Sequence, residues 1–130
     1  MKGTRSLSAL LHASLVFALM PLAARAATAE TTYVDEYGNT RSVTATVVES
    51  STSTLTGGWY VVNGSITRNS TITVSGDARL ILADGASLTI YGDFNNAGIN
   101  VSGSNHLTIY GQEQGTGQLA VTCGGNGAGI

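Results

Sequence analysis

Three observations predict an all-β chain wound as a parallel β-helix, a solenoid of about two coils behind an N-terminal β cap. From Ile72 onward an apolar-x-apolar unit recurs: Ile72-Thr73-Val74, Leu80-Ile81-Leu82, Leu88-Thr89-Ile90, Ile99-Asn100-Val101, Leu107-Thr108-Ile109 and Leu119-Ala120-Val121. Turn-forming residues such as Ser75-Gly76-Asp77, Asp84-Gly85 and Ser102-Gly103-Ser104 separate the units. The first three units also match the next three, with Ile72-Thr-Val-Ser-Gly repeating as Ile99-Asn-Val-Ser-Gly at an offset of 27.

Each observation has a physical reading. Alternation with period two places successive side chains on opposite faces of a strand, one inward and the next outward. Gly, Ser and Asp tolerate the backbone angles of sharp corners. Short strands with regular turns also suit an antiparallel sandwich. The self-match decides for the solenoid, because like stacks on like only where coils repeat at about 4.8 Å. Leu80 matches Leu107 at 27 residues and Leu88 matches Leu119 at 31, the extra residues falling in the Gly-rich loop Gln112 to Gln118. The expected core pairs are Ile72 with Ile99, Val74 with Val101, Leu80 with Leu107, Leu82 with Ile109, and Leu88 with Leu119. No stretch keeps helical i, i+3, i+4 spacing for more than a turn.

Residues 1–26 read as a cleavable signal peptide. Lys2 and Arg5 open a basic segment, an apolar run follows from Leu7 to Leu22, and Ala24-Arg25-Ala26 supplies a small-residue cleavage site. Cleavage is expected after Ala26, with Ala29 as the alternative. A transmembrane anchor needs about 20 apolar residues, and Pro21 ends this run short of that.

Residues 27–58 read as an N-terminal extended or cap segment and a linker. Glu30 to Val48 reads as a hairpin or extended pair around Tyr37-Gly38-Asn39, and Glu49 to Gly58 is Ser/Thr-rich. Ordered coils are expected from Trp59 to Ile130, with Trp59 as part of the cap on the solenoid's mouth. Two coils make a thin core, and three or more stacked repeats are usually needed. The Gly-rich end at Cys123 to Ile130 is likewise expected to lead into further chain.

Loss of the signal peptide leaves Arg41, Arg68 and Arg79 against eight acids, a formal charge of −5. Without Lys/Arg clusters, nucleic-acid binding and a basic membrane-surface patch are both disfavoured. No membrane span is expected in the mature chain. Cys123, the single cysteine, takes the inward phase set by Val121 and reads as a small buried apolar residue.

No catalytic constellation emerges. Asp77, Asp84, Asp93 and Glu113 are the acids of the coils; Asp84 and Asp93 each neighbour a Gly and read as turn residues whose carboxylates accept backbone N–H groups. A Ca²⁺ site at these two acids is the alternative; no other cofactor is expected. Arg79 reads as a solvated face residue. His106 has no sequence neighbour with which to build a triad or metal site. Thr73, Thr89, Asn100 and Thr108 face outward, as do Tyr91 and Tyr110 at different phases of the coil. Such a row suits glycan hydrogen bonding and is also the ordinary outside of a parallel sheet. Trp59, Tyr91 and Tyr110 are the candidate glycan contacts. Asn63-Gly-Ser, Asn69-Ser-Thr and Asn100-Val-Ser are glycosylation sequons.

The segments Gly58-Trp-Tyr-Val-Val-Asn-Gly64, Ile72-Thr-Val-Ser-Gly76, Leu80 to Ile90, Leu107-Thr-Ile-Tyr-Gly-Gln112 and Ala128-Gly-Ile130 resemble the opening coils of large secreted or surface-anchored bacterial parallel β-helix repeat proteins. The resemblance spans Gly58 to Ile130. It implies export, a right-handed β-helix, continuation into more coils, and an adhesin or carbohydrate-binding role, with no catalytic motif. The resulting expectation is an exported, non-enzymatic secreted or cell-surface protein whose partner is a glycan or host-surface ligand. The alternative is the N-terminal part of a polysaccharide lyase or glycoside hydrolase with catalytic residues beyond residue 130.

Overall fold

The computed structural model describes residues 26–130 and is all-β. The signal-peptide reading falls on residues outside those described, apart from Ala26. Eleven strands run in order: β1 Thr28–Val34, β2 Thr40–Val47, β3 Thr54–Leu55, β4 Gly58–Val62, β5 Ser65–Arg68, β6 Ile72–Val74, β7 Asp77–Leu82, β8 Ser87–Phe94, β9 Ile99–Asn100, β10 His106–Gly111 and β11 Gln118–Gly124. They form three sheets: sheet A in the order β1-β2-β4-β7-β10, sheet B as β3-β6-β9, and sheet C as β5-β8-β11. From β3 onward the chain visits B, A and C in turn, three times over. Every pairing between successive circuits is parallel.

The apolar alternation explains why these segments are strands. In β7, Ala78, Leu80 and Leu82 point between the sheets, while Ile81 points outward. Leu55, Ile72, Leu80, Leu88, Ile90 and Ile99 are almost fully buried in that space, which is the main core. Corners rely on local chemistry. At Gly85, φ of +77° is costly for any residue with a Cβ, and this turn carries β7 into β8.

Registers at two corners match the expected stacking, with Ile72 beside Ile99 and Leu88 beside Leu119. Sheet A differs. Leu80 pairs with Ile109 and Leu107 with Ala78, while Leu82 pairs with Gly111. Relative to the Ser75-Gly76 corner, the Ser102 to Asn105 corner is two residues longer, so the offset there grows from 27 to 29. Shifts of an even number keep inward residues inward, and the core survives with different partners.

The circuits number three rather than two. The Ser/Thr tract before Trp59 contains β3, whose Leu55 is buried, and residues after Val62 contain β5. At the far end, Ile99 N–H donates to the Gly129 carbonyl at 3.0 Å, repeating the bond from Ile72 N–H to the Gly98 carbonyl at 2.9 Å. Gly129 thus stands toward Ile99 as Gly98 stands toward Ile72 one circuit earlier.

Strands β1 and β2 pair antiparallel from Thr28–Thr46 to Val34–Thr40. Asp35 shapes their turn: its carboxylate accepts Tyr37 N–H at 3.0 Å, Asn39 N–H at 2.8 Å and Arg41 Nε at 2.8 Å. Only Thr46 and Val47 extend sheet A, beside Tyr60 and Val61 of β4. The rest of the hairpin lies over the outer face of sheet A and makes a second core. Ala45, Val61 and Ile81 are its buried members, flanked by Ala29, Tyr33, Val43, Val47, Trp59 and Tyr110. Gln112 Nε2 fastens the hairpin by donating to Thr31 Oγ1 and the Thr32 carbonyl, both at 3.0 Å.

Candidate functional site

Two of the three aromatic candidates meet. Trp59 on β4 and Tyr110 on β10 have ring centroids 5.3 Å apart, and Tyr33 of the hairpin lies 4.4 Å from Trp59 and 4.9 Å from Tyr110. The Arg79 guanidinium sits 5.4 Å from the Trp59 ring centroid. Arg79 is half-buried against an aromatic face rather than simply solvated. Tyr33 covers Trp59, so this cluster fastens the hairpin to sheet A and offers no open stacking platform.

Tyr91 occupies a different surface. It follows inward-facing Ile90 on β8 and projects from the outer face of sheet C, where its side chain is 50% exposed. Cross-strand neighbours build rows around it. Ser65, Ser87 and Gln118 align across the three strands, as do Thr67, Thr89 and Ala120, with Thr122 beside Tyr91. Rows in a parallel sheet recur at about 4.8 Å, so the face presents hydroxyls at regular spacing next to one aromatic ring. No element packs over it among the described residues. Thr67 belongs to this face although its strand carries a single apolar residue, Ile66, and gave no alternation to read.

The acids are distributed rather than clustered. Asp84 lies at the corner before β8, where its carboxylate accepts Gln114 N–H at 3.0 Å and Thr116 N–H at 3.2 Å from the loop of the next circuit. The Gln114 N–H, followed by the Thr116 and Gly115 groups, holds the Asp84 carboxyl below the usual carboxylate range. The same loop reciprocates, Gln112 Oε1 accepting Asp84 N–H at 2.8 Å and Thr116 Oγ1 accepting Gly85 N–H at 2.9 Å. Asp93 lies at the other end of β8, about 25 Å of strand away, and exchanges hydrogen bonds with Thr71 N–H and Oγ1 at 3.2 Å. Both carboxylates therefore tie corners together, and they do not share a site. Among the described residues no three His, Cys, Asp or Glu side chains gather as metal ligands.

His106 acquires a neighbour that sequence spacing does not reveal. It stands beside Asp77 in the β10–β7 register, with Nδ1 3.4 Å from the carboxylate. Both side chains are exposed, so the pair contributes little to stability. Cys123 is half-buried, and its thiol donates to the Gly125 carbonyl at 3.3 Å.

A groove of about 480 Å³ opens between the hairpin tip and the edge of sheet A, lined by Val34, Asp35, Glu36 and Thr108 to Gly111. Arg41 neutralises Asp35 and, chiefly by its hydrogen bond, holds that carboxyl below the usual range. Glu36 is exposed. Comparison with family models, with curated proteins and with solved structures finds no match to this chain.

Proposed function

We propose that this is an exported, non-enzymatic secreted or cell-surface protein in which a right-handed parallel β-helix carries an adhesive, glycan-binding face. The cyclic B-A-C order of parallel strands supports the solenoid reading, and the strong preference of parallel crossovers for one hand supports right-handedness. Export rests on the signal-peptide pattern. Cleavage after Ala26 suits the hairpin, since it leaves Ala27, whose carbonyl accepts Val47 N–H at 2.8 Å, and Ala29 in the second core.

The observation that carries the binding role is the uncovered outer face of sheet C, where Tyr91 stands 50% exposed among Thr67, Thr89 and Thr122. Sugar rings present apolar C–H faces and equatorial hydroxyls, which an aromatic ring and a hydroxyl row complement. A glycan-array screen followed by titration tests the proposal. Tyr91→Ala is expected to weaken the best ligand by about 2- to 10-fold, whereas Trp59→Phe leaves affinity unchanged. An array without binders, or binding indifferent to Tyr91→Ala, refutes it.

A further inference from the structure

We infer that the outer face of sheet C takes an extended, uncharged glycan of β-1,4-linked pyranose rings, lying along β8 with Phe94 as a second stacking residue beyond Tyr91. This rests on the glycan-binding reading and specifies its ligand class and its second aromatic contact.

A β-bulge brings the two rings to one face. Up to Tyr91 the strands pair one to one, with Thr122 standing beside Tyr91. The next pair is Gly124 with Phe94, so Cys123 alone opposes Gly92 and Asp93. The additional residue on β8 reverses the alternation. Phe94 therefore shares the face of Gly124, which lies two residues from outward Thr122, and its side chain is 80% exposed. A tight turn holds it there, with Asn96 N–H donating to the Asp93 carbonyl at 2.9 Å and Asn95 at a φ of +61°. Glycine makes room on the neighbouring strand, where a Cβ at Gly125 would lie 3.3 Å from Phe94 Cε2. β8 is the middle strand of sheet C, with β11 on one side and, on the other, β5 followed by the Thr71 that bonds Asp93. Both rings thus stand on the interior strand of the sheet.

Spacing and charge specify the ligand. The partners of Tyr91 and Phe94 are two residues apart on β11, about 7 Å of strand, a span that seats consecutive rings of an extended chain. Ser87 and Thr89 continue the same outward line. The whole line runs for about 20 Å, room for about four rings. Equatorial linkages keep a glycan straight and turn its C–H faces to the aromatic rings and its hydroxyls to Ser and Thr, whereas axial linkages coil it away from a straight row. Between Ala27 and Ile130 the Lys and Arg residues are Arg41, Arg68 and Arg79. Each is engaged elsewhere, with Asp35, the Ser50 carbonyl and the Trp59 ring. With no cation on this face among the described residues, and the exposed Asp93 next to Phe94, an acidic chain is repelled and an uncharged one is not.

The test is isothermal titration calorimetry of the purified protein with oligosaccharides of β-1,4-linked glucose, β-1,4-linked N-acetylglucosamine, β-1,4-linked glucuronate and α-1,4-linked glucose. Saturable binding of at least one of the two uncharged β-1,4 chains is expected, tightening from disaccharide to tetrasaccharide and level beyond. The α-linked chain should bind about tenfold more weakly or not at all, and the glucuronate chain should not bind. Phe94→Ala should weaken the tetrasaccharide by about 2- to 10-fold, while Phe94→Tyr retains it. Phe94 is exposed, so both variants should melt with the parent protein. A glycan bound through Tyr91 but indifferent to Phe94→Ala, or a preference for the acidic or the α-linked chain, would overturn this inference and leave the glycan face standing. Absence of any glycan binder would overturn both.

Discussion

Removing the Tyr33 ring should detach the hairpin from sheet A. Tyr33 contacts both Trp59 and Tyr110, at centroid distances of 4.4 and 4.9 Å. Each aromatic pair contributes about 0.5–1.5 kcal/mol beyond its buried area, and the half-buried ring adds its own apolar burial at about 25 cal/mol per Å². Tyr33→Ala should therefore cost about 2–4 kcal/mol, less than the loss for a fully buried aromatic residue. In a domain of this size that lowers Tm by roughly 10–20 °C. Trp59 is the single tryptophan, so its emission reports directly on whether Tyr33 still covers it. Urea titration followed by tryptophan fluorescence is the assay. The expected result is a red-shifted native emission and an earlier midpoint for Tyr33→Ala, with Tyr33→Phe close to the parent. A Tyr33→Ala protein with unchanged emission and a loss below about 0.5 kcal/mol would refute the role given to the hairpin as a packed second layer.

Further predictions follow from position within the circuits. Leu80→Ala should cost about 2–5 kcal/mol because the side chain is fully buried, whereas Ile109→Ala in the same column, 41% exposed, should cost under about 1.5 kcal/mol; equal losses in denaturant titrations would contradict this difference in burial. Gly117→Ala should destabilise strongly despite ordinary backbone angles, since a Cβ would lie 2.7 Å from both the Leu82 Cβ and the Leu82 carbonyl, while Gly64→Ala meets nothing within 4 Å and should be neutral or slightly stabilising. Comparative melting of the two variants checks this, and a neutral Gly117→Ala would show that the loop moves freely. Asp84 has a depressed folded carboxyl, so its contribution is full above the unfolded carboxylate value near about pH 4 and is lost as pH falls through the folded value. Asp84→Asn should therefore be less stable than the parent at about pH 7, with the gap narrowing in acid; a gap independent of pH would exclude the hydrogen-bonded carboxylate as its source.

Several of these features follow from sequence pattern alone. Alternation at Ile72-Thr73-Val74 and Leu88-Thr89-Ile90 sets strand and facing together, because an extended chain turns each side chain to the opposite face. That rule also points Tyr91 outward. The repeat Ile72-Thr-Val-Ser-Gly and Ile99-Asn-Val-Ser-Gly identifies two stacked corners, and the Asp84-Gly85 pair identifies a turn.

Other features are decided only where the chain folds back on itself. β3 and β5 contribute Leu55 and Ile66, one inward apolar residue each, too few to show alternation. Their pairing with β6 and β8 makes them strands. The register of sheet A depends on two additional corner residues, whose effect on Leu80 and Leu107 cannot be separated from a uniform offset until the neighbouring strands pair. Tyr33, Trp59 and Tyr110 come from three distant segments, as do Gln112 and Thr31, and no local period links them. What the sequence determined was the two-residue period of its strands and the chemistry of its corners, both properties of adjacent residues. Which outer face the hairpin covers, and which it leaves open around Tyr91, was decided by packing between distant surfaces, since burial depends on what lies across from a strand rather than along it.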